Sequence, residues 1–405
     1  MAGHPVIRIE ADRLIDGVAE SPRRPGRLLV QGERIAGLPG EPAGAGAAPA
    51  ALHDQVTLAL PGCTVLAGLI DFHSHLGIDT RRAHLGAQIG VPEPEYTANG
   101  ISRMQEDLRA GATTLRLCGD RHGIDLSLRR AVEEGRVVGP RLIAAGRAIR
   151  SPRCSGGAVA SVLTDDPNEI DRAVRGNLED GADFIKVFVS DGVGDPAVEP
   201  TTCYYGEAHV AAAARRAHDA GRRVAAHLLG GPGVAAALGG GLDVIEHGWF
   251  LTDADLDLVG RSGALITLTT GVLCGPRGHA FERTAEAGPR LQRLAGRALE
   301  TARKVIARGL RYVVGTDALH GCLADELAWL VTLGETPMRA IRAATAWPAQ
   351  ALGMEATLGT LAPGRIADVI AVEGDPLDDI TAMGRVRLVV SRGRIAYLRT
   401  SGERQ

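Results

Sequence analysis

The pattern of apolar and polar positions changes twice along the chain. Near the start, VIRIEADRLIDG (6–17) and RLLVQGERIAGL (27–38) alternate apolar and polar residues around turn residues, which predicts short half-buried strands. PGEPAGAGAAPAA (39–51) is low in complexity and reads as a loop. From Thr64 onward, short apolar runs alternate with longer helical patterns, the grammar of βα units. Eight such runs follow: VLAGLIDFH (65–73), TTLRLCG (113–119), RLIAAGRAI (141–149), FIKVFV (184–189), RVAAHL (223–228), DVIEH (243–247), ALITLTT (264–270) and YVVGTD (312–317). DPNEIDRAVRGNLEDG predicts a helix with an acid-rich start, and EAHVAAAARRAHDAG predicts one that ends at Gly221. The tail, GTLAPGRIADVIAVEGD and RVRLVVSRGRIAYLRT, returns to short alternating strands.

Eight strand–helix repeats over roughly 250 residues match an α/β fold of the (β/α)8 TIM-barrel type. The shared texture of the two ends predicts a small β-sandwich built from residues 1–63 and 362–405, flanking a barrel at 64–361. An open doubly wound sheet fits less well, because no Gly-rich phosphate loop follows the first strand.

Composition narrows the function classes. With 405 residues, 45% hydrophobic and 23% charged, there is material for a large core. The net charge of −3 and the absence of a Lys/Arg-rich run argue against a nucleic-acid partner. No run approaches the ~18 apolar residues of a membrane span. The start, MAGHPVIRIEADRL, lacks the pattern of an export signal, so a cytoplasmic location is expected. Six cysteines without a C-x-x-C pair are expected to be free thiols. The 45 basic residues comprise 43 Arg and only Lys186 and Lys304, the signature of a GC-rich bacterial genome. A lysine that persists in that background can do something a guanidinium cannot.

His73 and His75 end the first barrel run two residues apart, so both imidazoles face the same way. Lys186 lies in the fourth run, and His227, His247 and Asp317 end the fifth, sixth and eighth. In a barrel these ends converge on one face. Four histidines and an aspartate form a nitrogen and oxygen donor set suited to Zn2+ and similar divalent ions. Lys186 beside cations is expected to be neutral or modified, and carbon dioxide would convert its amine to a carbamate able to bridge two metals.

GLIDFHSHLG, GADFIKVFVSDG, VAAHLLG, VIEHGWF, VVGTDA and LGTLAPGRIADVIAVEGDPLDDI together resemble the amidohydrolase superfamily. More narrowly, they resemble its imidazolonepropionase-like and Xaa-Pro-dipeptidase-like branch. The resemblance implies a barrel with a β-sandwich and a binuclear centre bridged by N6-carboxylysine at Lys186. It also implies a first metal on His73, His75 and Asp317, and a second on His227 and His247. The chain departs from dipeptidase members at SPRCSGG (151–157), where they carry a Gly-Gly-His-Gly-like segment.

The resulting reading is hydrolysis of an amide C–N bond by hydroxide made on two divalent ions, with Asp317 passing the proton to the leaving amine. Substrates in view are a peptide, an N-acyl amino acid, a lactam, or a modified peptide, as in follower-peptide removal in bottromycin-type maturation. Contacts to that small-molecule or peptide substrate are expected from His122, Tyr205, Arg153 and His320, with Arg121, Arg150, Tyr204 and Trp249 on neighbouring loops. His84, His209, His218 and His279 read as structural or solvated, and Glu207 and Glu326 as ordinary helix-start carboxylates. Homo-oligomers are common in the resembled family. Two other readings stay open: a mononuclear hydrolase or deaminase of cyclic amidines, and a barrel that serves only as a binding subunit.

Overall fold

A computed structural model describes residues 6–38, 55–82, 85–155, 159, 161–278 and 288–399. The expected loop at 39–51, His84, His279 and the two glycines of SPRCSGG lie outside these residues. The chain opens with strands β1 (Val6–Ile15), β2 (Gly26–Gln31), β3 (Arg34–Gly37) and β4 (Gln55–Ala67). The middle carries β5 (Leu69–Ser74), β6 (Ala112–Leu117), β7 (Arg141–Ala144), β8 (Ile149–Arg150), β9 (Val162–Leu163) and β10 (Phe184–Phe188). After these come β11 (Arg223–Leu228), β12 (Val244–His247), β13 (Leu265–Leu268) and β14 (Tyr312–Val314). The end supplies β15 (Val369–Glu373), β16 (Val386–Ser391) and β17 (Arg394–Leu398).

The two chain ends meet in one seven-stranded sheet, in the order β17-β16-β15-β4-β1-β2-β3. Alternate residues of its strands, among them Ile7, Ile9, Leu28, Val30, Val65, Val369, Leu388 and Val390, form one buried cluster, as period-2 burial requires. Hydrogen bonding runs unbroken through seven strands, and the sheet curls until its far parts touch. Ile35 N donates to Arg365 O and Ala367 N to Glu33 O. Gly393 lies so close to Gly32 that a Cβ there would strike the Gly32 carbonyl. Leu66, Ile370, Val372, Val386 and Val389 point the other way and join the main core.

The middle is α/β, with two parallel sheets, β5-β6-β7 and β14-β13-β12-β11-β10-β8-β9. Two of the eight predicted runs divide. The 141–149 run becomes β7 and β8, and the 65–73 run breaks at Gly68, where a Cβ would lie 2.2 Å from Thr113 Oγ1. Only glycine lets the chain pass there from the terminal sheet into β5.

Individual hydrogen bonds join the two parallel sheets. Asp183 N donates to Ala144 O at 2.8 Å beside β7, and Asp317 N to His73 O at 2.8 Å beside β5. Asp71 reinforces the second seam, accepting from Thr316 N at 3.0 Å and Thr316 Oγ1 at 2.6 Å. Phe72, Cys118, Ala145, Phe184, Ala225, Val244, Leu265 and Val313 come from β5, β6, β7, β10, β11, β12, β13 and β14 or their immediate ends, and they pack into one small cluster. Outside lie the helices. The one at Pro167–Glu179 is capped by the Asp166 carboxylate, and the one at Asp253–Ser262 by a Thr252–Asp255 capping box with left-handed Gly263 at its end.

Asp71 is 1% exposed and holds three donors at the β5–β14 seam, counting His73 N. Asp71→Ala strands those donors and is expected to cost about 3 kcal/mol of stability. Urea unfolding of the metal-free variant measures this, and an unchanged midpoint would show that the seam stands without Asp71.

Candidate metal centre

His73, His75, His227, His247 and Asp317 sit at or just past the carboxyl-terminal end of a strand, Lys186 lies within β10, and all six line one cavity of about 560 Å³. The His73 ring lies 5.3 Å from His75 and 4.7 Å from His247, and His247 lies 4.6 Å from His227, centroid to centroid. Asp317 Oδ1 is 3.3 Å from His73 Nε2 and 3.6 Å from His75 Nε2. Two of these residues occupy left-handed backbone, His247 at φ 74° and Asp317 at φ 51°. That conformation costs about 1–2 kcal/mol for a residue with a Cβ, and such strain gathers where a side chain must be aimed.

Each histidine spends one ring nitrogen on the protein. His73 Nδ1 meets Glu246 Oε2 at 2.7 Å, and His75 Nδ1 meets Gly119 O at 2.6 Å. His227 Nε2 meets Asp191 O at 2.9 Å, and His247 Nδ1 meets Thr269 Oγ1 at 2.8 Å. Carboxylates and carbonyls only accept, so in the first three that nitrogen carries a proton, and the other is the one that presents a lone pair whenever the ring is neutral. Burial, and then the charge of neighbouring His73, push His75 down to about 3; burial and Lys186 push His227 down to about 4. Burial also drives His247 well below its ordinary value. Burial opposes ionisation of Asp317, yet the His73 hydrogen bond and the surrounding imidazoles hold it well below the usual carboxylate range. His73 goes the other way: against burial, the acidic groups around it, Cys118, Glu246 and Asp317, hold it well above its ordinary value.

Lys186 is 1% exposed, and its Nζ has no hydrogen-bond partner among the described residues. A bare ammonium buried this way is costly. An orphaned amine amid imidazoles and a carboxylate fits a metal site in which that nitrogen is modified. His73, His75 and Asp317 also bring donor atoms within 4.8 Å of one another. A second close group, His73, Cys118 and Glu246, is closed off by Arg116.

Arg116 and Glu246 escaped the sequence reading. Arg116 is 2% exposed and stacks between Phe72 and Phe184, 4.5 and 3.7 Å from their centroids. It donates to Glu246 Oε1 at 2.7 Å and to Phe72 O at 3.0 Å. Glu246 thus faces Arg116 with one oxygen and His73 with the other. Its only signal in the sequence is the residue before His247 in VIEH.

None of the four expected substrate contacts lines the cavity. Tyr205 is buried and donates to Thr164 O at 2.6 Å, so its hydroxyl serves the wall of the fold. His320 is buried between Asp107, at 2.8 Å, and Ile78 O, at 2.8 Å. Arg153 turns outward to Asp165 and over the Tyr204 ring. His122 lies beside Glu93 and the edge of Tyr96. Trp249, in contrast, lines the cavity against His247. Glu326 is no ordinary helix-start carboxylate either: it is buried, accepts from Thr270 N and Gly271 N, and burial pushes it up to about 8.

Parallel strands with histidines and an aspartate at their carboxyl ends define a metal-binding α/β hydrolase. The model of the amidohydrolase family matches residues 64–396, and the chain belongs to that family. Ochratoxinase from Aspergillus niger is 29% identical over 347 residues, covering 78% of this chain and 71% of that protein. Its crystal structure superposes with a TM-score of 0.82 at 26% identity, covering 97% and 96% of the two chains. Imidazolonepropionase from Rhodococcus jostii is 29% identical over 355 residues, covering 81% and 79%. A Xaa-Pro dipeptidase with methionine bound in its active site superposes with a TM-score of 0.84 at 28% identity, covering 96% and 99%. No helix among the described residues is long and apolar enough to cross a membrane.

Glu246→Gln must present an amide NH2 either to Arg116 or to His73 Nδ1, disturbing the His73 tautomer or its support. Zinc affinity is expected to fall about 10–100-fold, read by competition with a chromophoric chelator. An unchanged affinity would mean that His73 is oriented without Glu246.

The depressed histidines also carry an acid-sensitive contribution to the stability of the metal-free protein. In the unfolded chain, His75, His227 and His247 take up protons below a pH of about 6.5, whereas folded His75 and His227 stay neutral down to about 3 and 4. At these positions the unfolded state binds more protons, so each favours unfolding by ~1.4 kcal/mol per unit as pH falls, while Glu326, held up at about 8 by burial, pulls the other way. Urea unfolding of chelator-treated wild type and His227→Gln at pH 7, 6 and 5 isolates the histidine contribution: between pH 6 and 5 wild type is expected to lose ~1.4 kcal/mol relative to the variant, and parallel pH profiles would contradict it.

Proposed function

We propose that the chain hydrolyses an amide C–N bond at a binuclear centre on a closed (β/α)8 barrel. In this reading His73, His75 and Asp317 hold one divalent cation, His227 and His247 hold a second, and carboxylated Lys186 bridges them. Zinc suits the donor set. The observation that carries the reading is the orphaned, buried Lys186 amine inside a cavity shared with five ligand-type side chains. The eight-strand cluster and the two seam contacts support the closed barrel. The family and the Xaa-Pro dipeptidase neighbour support a peptide or related amide as substrate.

Divalent cations at such a site supply a water deprotonated near neutral pH and polarisation of the substrate carbonyl. The protein's own residues do the rest. Asp317, held ionised by His73, takes the proton from the attacking water and gives it to the leaving nitrogen. The carbon–oxygen bond forms, the carbon–nitrogen bond breaks, and the amine leaves with that proton. Glu246, Gly119 O and Asp191 O keep the imidazoles in their ligating tautomers throughout.

The tight trio of His73, His75 and Asp317 suits a single ion on its own, which favours a mononuclear enzyme as the second reading. Elemental analysis of wild type and Lys186→Ala, side by side, separates the two. The binuclear reading expects about two equivalents falling to one or fewer, with kcat/KM on a cleaved amide dropping about a thousandfold. One equivalent in both proteins, with activity retained in Lys186→Ala, would favour the mononuclear alternative.

A further inference from the structure

Two apolar walls from separate hydrophobic clusters face the candidate centre. One is formed by Ile78 and Ile89, which follow β5, together with Phe188 at the end of β10. The other is formed by Val193 after β10, Trp249 after β12 and Val272 after β13. Each wall abuts a different histidine. Phe188 stacks on His227 with centroids 5.2 Å apart, and Trp249 tilts against His247 at 5.0 Å. The second wall is also braced from behind: Arg290 donates to the carbonyls of Val193, Asp195 and Val198 at 2.9, 3.3 and 3.2 Å. A reacting bond seated over the histidines therefore has two distinct preformed apolar surfaces within the same cavity.

We propose that the substrate is an amide carrying an apolar group on each side of the scissile C–N bond, one seated on each wall. The bond's identity rests on the hydrolase reading above, whereas the two-sided preference is a property of binding.

The probes are N-acetylglycinamide, N-benzoylglycinamide, N-acetylphenylalaninamide and N-benzoylphenylalaninamide, added to the metal-loaded protein. Affinity is read by isothermal titration, or as KM where amine is released, and amine release is followed by chromatography. Each single enlargement is expected to tighten binding about tenfold or more, and both together about a hundredfold, because the walls act separately. Ile89→Asn is expected to erase the gain from one group and Val272→Asn the gain from the other. Enlargement that fails to tighten binding on either side, no binding by any probe, or loss of the same gain in both variants overturns the proposal. Selective binding without amine release would remove the hydrolase reading and leave the two-walled site standing; release without selectivity would do the reverse.

Discussion

Arg116 and Glu246 place opposite charges in the interior of the strand assembly, where either one alone would cost several kcal/mol. The pair is tolerable because it is closed from every side. Two aromatic rings cover the guanidinium faces, Phe72 O takes a second hydrogen bond, and the other carboxylate oxygen goes to His73. Part of the candidate centre inherits its order from this layer. His73 is turned by Glu246, and Asp317 is tied through His73 by side chain and backbone together. The two rings belong in turn to the apolar cluster of the eight strands. A polar layer on an apolar floor gives the candidate centre a fixed base, so that the left-handed turns at His247 and Asp317 have something rigid to be strained against.

Much of this was legible in the sequence because the chemistry sits at strand ends. H-S-H, A-A-H, I-E-H and G-T-D each close an apolar run, and a parallel strand array brings such ends to one face whatever the loops do. The same logic failed for residues beyond the strands. His320 follows a run that ends in Asp317, yet buried Asp107 draws it away from the cavity. Tyr205 borders a helix start, and its ring is taken into the core because Thr164 O satisfies its hydroxyl. Arg116 and Glu246 lie 130 residues apart, and no local pattern reports a contact across the interior. Gly68 looked like part of one strand, because a passage between two sheets differs from a strand interior only by a close approach from Thr113.

The division of labour follows from stiffness. Strand ends carry the groups whose positions decide charge and proton placement, and most are fixed by hydrogen bonds to neighbouring strands. The segments after β5, β10, β12 and β13 carry most of the apolar surfaces, where changes alter fit, and Trp249 among them also meets the His247 ring. Where such a segment is long, as from Asp191 to Tyr204, side chains fasten it at several points: the Asp191 carboxylate accepts from Ser155 and Tyr204, while its carbonyl orients His227.

The terminal sheet has a bearing on how the molecule comes into being. β4 pairs with β1 on one side and with β15 on the other, so its second neighbour lies some three hundred residues further along the chain. During synthesis the first four strands emerge with β4 presenting an open edge, and that edge closes only after the intervening helices and strands have been made. Closing so long a loop by chance is slow, whereas the nearest-neighbour contacts of the βα units form early. The middle of the protein thus acts as the template that carries β15, β16 and β17 back to β4 and completes the sheet.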